Sequence, residues 1–145
     1  MLYEQRCAHS LIKKHRTDNP FKIAEQKHIV ILYEELGSTL GYFHTSRRIR
    51  FIHINNKLNE SMQRFVCAHE LGHSVLHPDV NTPFLKKNTF FSMDKIETEA
   101  NAFAAKLLLQ DDIIYNYQDT NMTIQELGSI YGVPEEVTHL KRISD

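Results

Sequence analysis

The sequence predicts an α+β fold: a three-stranded, mostly antiparallel sheet packed against two longer helices, with short helices closing the C-terminal end. Three observations carry this reading. β-branched and aromatic runs gather between residues 28 and 55. Two later stretches, 59–77 and 94–109, place apolar residues at helical rather than alternating spacing. The 145 residues suffice for one hydrophobic core and leave little for a second. A single domain over 1–145 is therefore expected, with residues 120–145 as a small helical subregion.

Residues 3–16 form the first expected helix. Leu2, Cys7, Ala8, Leu11 and Ile12 supply an uneven apolar stripe. Lys13, Lys14, His15 and Arg16 crowd the last turn, where positive charge suits the carbonyl end of the helix dipole. Asp18-Asn19-Pro20 stops this helix and starts a short second one with proline in its first turn. His28 to Tyr33 is a β-branched strand, Gly37-Ser38-Thr39 a turn, and Leu40 to His44 a weaker strand. Arg47-Arg48 marks the next turn, and Arg50 to Asn55 alternates as the third strand. Short connections favour an antiparallel meander. Asn59 or Glu60 starts the next helix, and Pro78 ends it after His77. Residues 79–93 lack periodicity and read as a loop along a cleft, with Phe90 and Phe91 expected in the core rather than against a substrate. Asp94 to Leu109 is a helix whose core face is Ile96, Ala100, Phe103, Ala104 and Leu107. A helix starting at Asn121 or Thr123 and closed by Gly132, then one opened by Pro134, finish the chain.

The helix from Asn59 carries His69-Glu70-Leu71-Gly72-His73. Residues four apart lie one turn above each other on one helix face, so His69 and His73 can share a metal ion. Glu70 sits about 100° round the helix from His69, close enough to address a water at that ion. The pattern is that of a metal-assisted hydrolytic site: two imidazoles hold the ion, a coordination position stays open for water, and a carboxylate takes its proton. Phe65, Val66, Ala68, Leu71, Val75 and Leu76 surround the helix with apolar residues. A helix so buried needs partners for two imidazoles and a carboxylate, and a metal is one. Gly72 weakens a helix interior, which suggests another backbone or ligand passing close by.

The third ligand is sought on the helix after Asp94. Glu97 can serve as a capping-box partner of Asp94 or as a metal ligand. It shares a stripe bordering the core with Asn101, Ala104 and Leu108, whereas Glu99 shares one with Lys95 and Lys106 that reads as solvated and ion-paired. Glu97 is therefore chosen as ligand, with Glu99 as the alternative. Asn101, one turn on, is a candidate to hold a ligand histidine.

Composition narrows the partners. A net charge of −1 and the absence of a basic run give no sign of a polyanion. Cys7 and Cys67 read as free thiols, Met1 to Arg6 lacks the apolar core of a signal peptide, and no apolar segment is long enough to span a bilayer. A cytoplasmic protein that contacts neither membrane nor nucleic acid directly is expected.

His69 to His73, followed by Glu97-Thr98-Glu99-Ala100-Asn101-Ala102-Phe103-Ala104-Ala105-Lys106-Leu107-Leu108, resembles the ImmA/IrrE family of metallopeptidases. The likeness runs from roughly residue 20 into the tail. It implies a zincin-like site with His69, His73 and Glu97 on Zn2+ and Glu70 as general base. It also implies a zinc-dependent endopeptidase with a specific substrate, a helix-turn-helix repressor encoded nearby on a prophage or integrative element, whose cleavage derepresses transcription. One departure is Leu108-Leu109-Gln110-Asp111, where family members often read leucine-methionine-proline.

Two other functions compete. The fold could serve a metal sensor or an antirepressor that binds without cutting. Thr123 to Leu127 and Gly132 to Val137 have the rhythm of a DNA-binding helix-turn-helix, but Glu126, Glu135 and Glu136 outweigh Lys141 and Arg142, the wrong sign for phosphate contacts. Of the remaining candidates, His44, His53 and His77 are expected to be packing or surface residues. The strand bearing His53 is expected at the sheet edge, holding substrate by its backbone. Tyr131 is a candidate oxyanion partner.

Overall fold

A computed structural model describes residues 2–140. Four of the six α-helices among the described residues begin where the sequence offers a short polar side chain to the unsatisfied N–H groups of the first turn. The first helix, α1 (Tyr3–His15), is followed by α2 (Pro20–Gln26), at whose start Asn19 accepts from Phe21 N. Asn59 accepts from Met62 N at 2.8 Å and opens α3 (Glu60–Leu76). Asp94 accepts from Ile96 N and opens α4 (Lys95–Leu108). After α5 (Asp111–Asn116), Thr123 and Glu126 cap α6 (Ile124–Ile130) reciprocally.

The strands are β1 (Val30–Glu34), β2 (Gly41–Ser46) and β3 (Ile49–Asn55), and they confirm the three-stranded sheet but not the meander. Their order is β1-β3-β2. β2 and β3 pair antiparallel, from Gly41 opposite Ile54 to Ser46 opposite Ile49, while β1 pairs parallel with β3, from Val30 opposite Phe51 to Glu34 opposite Asn55. The hairpin turn supplies part of the reason. Arg47 and Arg48 have φ of 50° and 68°, the left-handed pair that suits a two-residue hairpin. With β2 on one side of β3, β1 is left the other side. The Asn55 side chain then donates to Gly37 O and Thr39 O, tying the link from β1 to β2 across the end of β3. β3 is thus central, and β1 and β2 are the edges. This overturns the expectation that the His53 strand lies at the edge.

The core lies between the sheet and α3, and between α3 and α4. Phe43, Ile52 and Ile54 from the sheet join Phe65, Val66 and Leu71 of α3 and Phe103, Ala104 and Leu107 of α4. Other differences from the expected elements are local. The 79–93 loop contains a 3₁₀ helix, Lys87–Phe91, in which Phe90 is buried edge-on to Phe65 while Phe91 is 72% exposed. α5 is an element that the sequence reading does not contain; it follows α4 directly, and its Asp111 meets the buried Lys106 at 3.1 Å. The last expected helix is a 3₁₀ helix, Glu135–Leu140, packed on α4 through a face that buries Val137 and Thr138. Lys141 and Arg142 lie outside the described residues.

Gly72 decides how closely α3 and α4 approach. A β-carbon there would stand 2.9 Å from Phe103 Cδ1 and 3.2 Å from Cγ, and Phe103 is fully buried. Alanine should gain helix propensity and lose more to the clash. Gly72→Ala is expected to destabilise the protein by about 1–2 kcal/mol, read as a lower urea midpoint with unchanged slope.

Candidate metal centre

The periodicity of α3 brings His69, Glu70 and His73 to the side that faces α4, where all three are fully buried. From α4, Glu97 reaches across to both rings: Oε2 lies 3.2 Å from His69 Nε2, and Oε1 lies 2.9 Å from His73 Nε2. The two Nε2 atoms are 3.1 Å apart. A tetrahedral ion bound at about 2.0–2.1 Å keeps its ligand atoms roughly 3.3 Å from one another, so this triangle is close to what such an ion requires. The donor atoms of His69, Glu70 and His73 also fall within 4.8 Å of one another. Of the two carboxylates, Glu97 is the one in direct contact with both imidazoles. Glu70 stands further back.

The far side of each ring strengthens the case for an ion. His69 Nδ1 lies 2.8 Å from Asn101 Oδ1, and a carbonyl oxygen accepts, so Nδ1 donates and Nε2 is left with a lone pair. Two imidazole nitrogens and a carboxylate thus converge as electron-rich atoms in a buried space. Both oxygens of Glu70 and both of Glu97 have no partner in hydrogen-bonding geometry among the described residues. Buried acceptors without donors are costly, and a cation with a water satisfies all of them together. The residues present therefore fit a divalent metal.

The two carboxyls differ in acidity. Burial pushes Glu70 up to about 8, the neighbouring Glu97 charge adds to this, and His73 opposes it. Burial also acts against ionised Glu97, but its contacts with the His69 and His73 rings outweigh that and hold it at about 2. One carboxyl is suited to remain an anion and the other to exchange a proton.

A buried His/Glu cluster able to hold a metal, on a fold of mixed α and β structure, is what a metallopeptidase requires, and similarity to known proteins assigns that class. A family model described as the IrrE N-terminal-like domain, Peptidase M78, matches residues 24–142. The chain belongs to this ImmA/IrrE family. It is 44% identical over 136 residues to uncharacterized immunity region protein 2 of Bacillus phage phi105, covering 93% of this chain and 86% of the relative. It is 33% identical over 136 residues to the metallopeptidase ImmA of Bacillus subtilis strain 168, covering 91% and 79%.

Other candidates from the sequence fall elsewhere or change role. Asp94 caps α4 without help from Glu97, whose side chain turns to the histidines instead. Glu99 is not on a solvated face: it contacts His77 Nε2 at 2.9 Å, and Lys106, expected beside it in solvent, is buried. His77 is buried as well, with Nδ1 3.0 Å from His73 Nδ1. A third histidine at the same four-residue spacing was the signal that could have joined it to the site. His53 bonds to Glu34 through Nδ1 and lies 3.0 Å from His44 through Nε2, a separate row on the sheet on which Tyr42 stacks. Tyr131 lines a groove with Glu60, Ser61 and Arg64 at the start of α3, not with the histidines.

The elevated Glu70 pKa has a consequence for stability. An unfolded Glu70 ionises near 4.5, whereas the folded one holds its proton to about 8. Folding therefore takes up a proton between these values, and stability falls as pH rises through that window. Glu97, shifted downward, adds no slope there. In chelator-stripped protein, Glu70→Gln is expected to be more stable than the unaltered protein at pH 8, by an amount on the order of a few kcal/mol, and nearly equal at pH 5. Urea midpoints at the two pH values check this.

Proposed function

We propose that the chain is a zinc-dependent endopeptidase that cuts a specific helix-turn-helix repressor in the cytoplasm and thereby derepresses transcription, with residues 1–145 acting as one catalytic unit. The observation that carries this reading is the contact of Glu97 with both His69 and His73 while Glu70 stands behind them with its own carboxylate unsatisfied. His69, His73 and Glu97 hold the metal. Bound zinc supplies Lewis acidity, polarising the scissile carbonyl and acidifying a water. Glu70 accepts the proton of the attacking water and delivers it to the departing amine nitrogen. Ionised Glu97 keeps its negative charge among the ligands and leaves proton traffic to Glu70.

Substrate is expected along β2 rather than β3. β2 pairs with β3 on one side, and on the other, among the described residues, only its first residue, Gly41, is bridged, to Leu85. Beyond that bridge a groove of about 330 Å³ runs between Tyr42–Thr45 and the segment Pro78–Thr82. An extended peptide can add there as a further strand. The names of the relatives support the biology in part: one is called an immunity region protein of a phage, the other a metallopeptidase. A repressor is the substrate that joins the two.

The competing reading is an antirepressor or metal sensor that binds without cutting. Mixing the protein with the repressor encoded beside it, with and without chelator, separates them: new fragments only in the presence of metal support cleavage, and an intact repressor in a stable complex supports sequestration. Glu70→Gln should bind zinc stoichiometrically and lose about 10²–10⁴-fold in cleavage rate. Normal cutting by that variant would sink the mechanism. His69→Ala should lose the metal, measured by elemental analysis after dialysis.

A further inference from the structure

Behind His73 runs a row of three groups that spans α3 and α4. His73 Nδ1 lies 3.0 Å from Nδ1 of His77, one turn further along α3, and His77 Nε2 lies 2.9 Å from Oε1 of Glu99 on α4. The roles along the row follow from its end. A carboxylate only accepts, so His77 Nε2 carries the hydrogen. The other nitrogen of a neutral imidazole is an acceptor, so His77 Nδ1 accepts from Nδ1–H of His73. His73 Nε2 then presents a lone pair on the side where His69 and Glu97 converge. Both nitrogens of His77 are engaged in this way, which removes it as a direct ligand. The row is buried at its histidines and half-buried at its end: His77 is 7% exposed and the Glu99 side chain 28%.

We propose that His77 and Glu99 form a relay that sets the tautomer and orientation of His73 and thereby the affinity of the metal centre. They are positioning residues, acting through His73 and touching neither metal nor substrate. The inference rests on the reading of His73 as a ligand. It also distinguishes the two histidines. His69 is held by a neutral amide from α4, Asn101, and His73 by a carboxylate through a second imidazole. Removing the His77 ring leaves the His73 Nδ1–H buried without an acceptor, free to exchange its hydrogen to Nε2. Neutralising Glu99 has a related effect, because a glutamine amide can donate as well as accept and no longer dictates which His77 nitrogen carries hydrogen.

The test is zinc affinity by competition with a chromophoric chelator, on the full chain and its His77→Phe, His77→Gln and Glu99→Gln variants. His77→Phe should weaken zinc binding by roughly 10–100-fold. His77→Gln, whose amide can accept from His73 and donate to Glu99, should recover most of that loss, with Glu99→Gln in between. Cobalt(II) loaded in place of zinc should show displaced visible bands in His77→Phe. A packing role alone would lower the urea midpoint of metal-free His77→Phe and leave zinc affinity and the cobalt spectrum unchanged; that result overturns the relay. If His77→Phe does not fold, unchanged affinity in Glu99→Gln overturns it equally. Failure of the unaltered protein to bind zinc, or equal binding by His73→Ala, would instead defeat the reading of His73 as a ligand.

Discussion

Two imidazole nitrogens and a carboxylate are pressed together, 2.9 to 3.2 Å apart, where α3 meets α4. Electron-rich atoms at that distance in a buried space repel one another unless a proton or a metal cation is shared among them. The rest of the structure can be understood as the frame that holds them there. Gly72 lets Phe103 lie against the α3 backbone, which brings α4 near enough for Glu97 to reach both rings. Asn59 and Asp94 cap the two helices at their first turns. The sheet covers α3 on another side, and Gly41 permits it: a β-carbon there would stand 2.4 Å from Val66 Cγ1.

Two glutamates within one buried cluster have opposite acid–base character, and the cause is placement. Glu97 lies against two imidazoles and is held well below the usual carboxylate range, whereas Glu70 has both oxygens buried without a donor and is pushed far above it. The proposed mechanism uses both kinds, a permanent anion and a group that exchanges a proton. Burial would raise both groups if it acted alone. Contact with the histidines separates them.

The mixed sheet bears on how a peptide substrate is received. Because β3 is central, its backbone is committed to β1 and β2, and the open ladders belong to those two edge strands, of which β2 is the one beside the groove. The groove beside β2 is bounded on its other side by Pro78 to Thr82, the segment that follows α3. His53, placed by alternation on the sheet face, is occupied with Glu34 and His44 and is not in the row behind the metal centre.

Local chemistry was legible in the residues. The shared face of His69 and His73 follows from the helical period, and the caps from Asn19, Asn59, Asp94 and Thr123; the helical wheel favours Glu97 on the expectation of a solvated face for Glu99 and Lys106 that packing does not produce. The resemblance to the ImmA/IrrE family came from the same two helices. Sequence alone thus determined which side chains share a face, because that depends only on positions within one helix. Only the tertiary structure decided that β3 would be central, that Glu99 would find His77, and that Lys106 would be buried against Asp111. Those outcomes depend on how α4 is rotated and seated against α3 and on which edge of β3 remains open to β1. They are set by packing between residues distant in the chain, for which no local period exists.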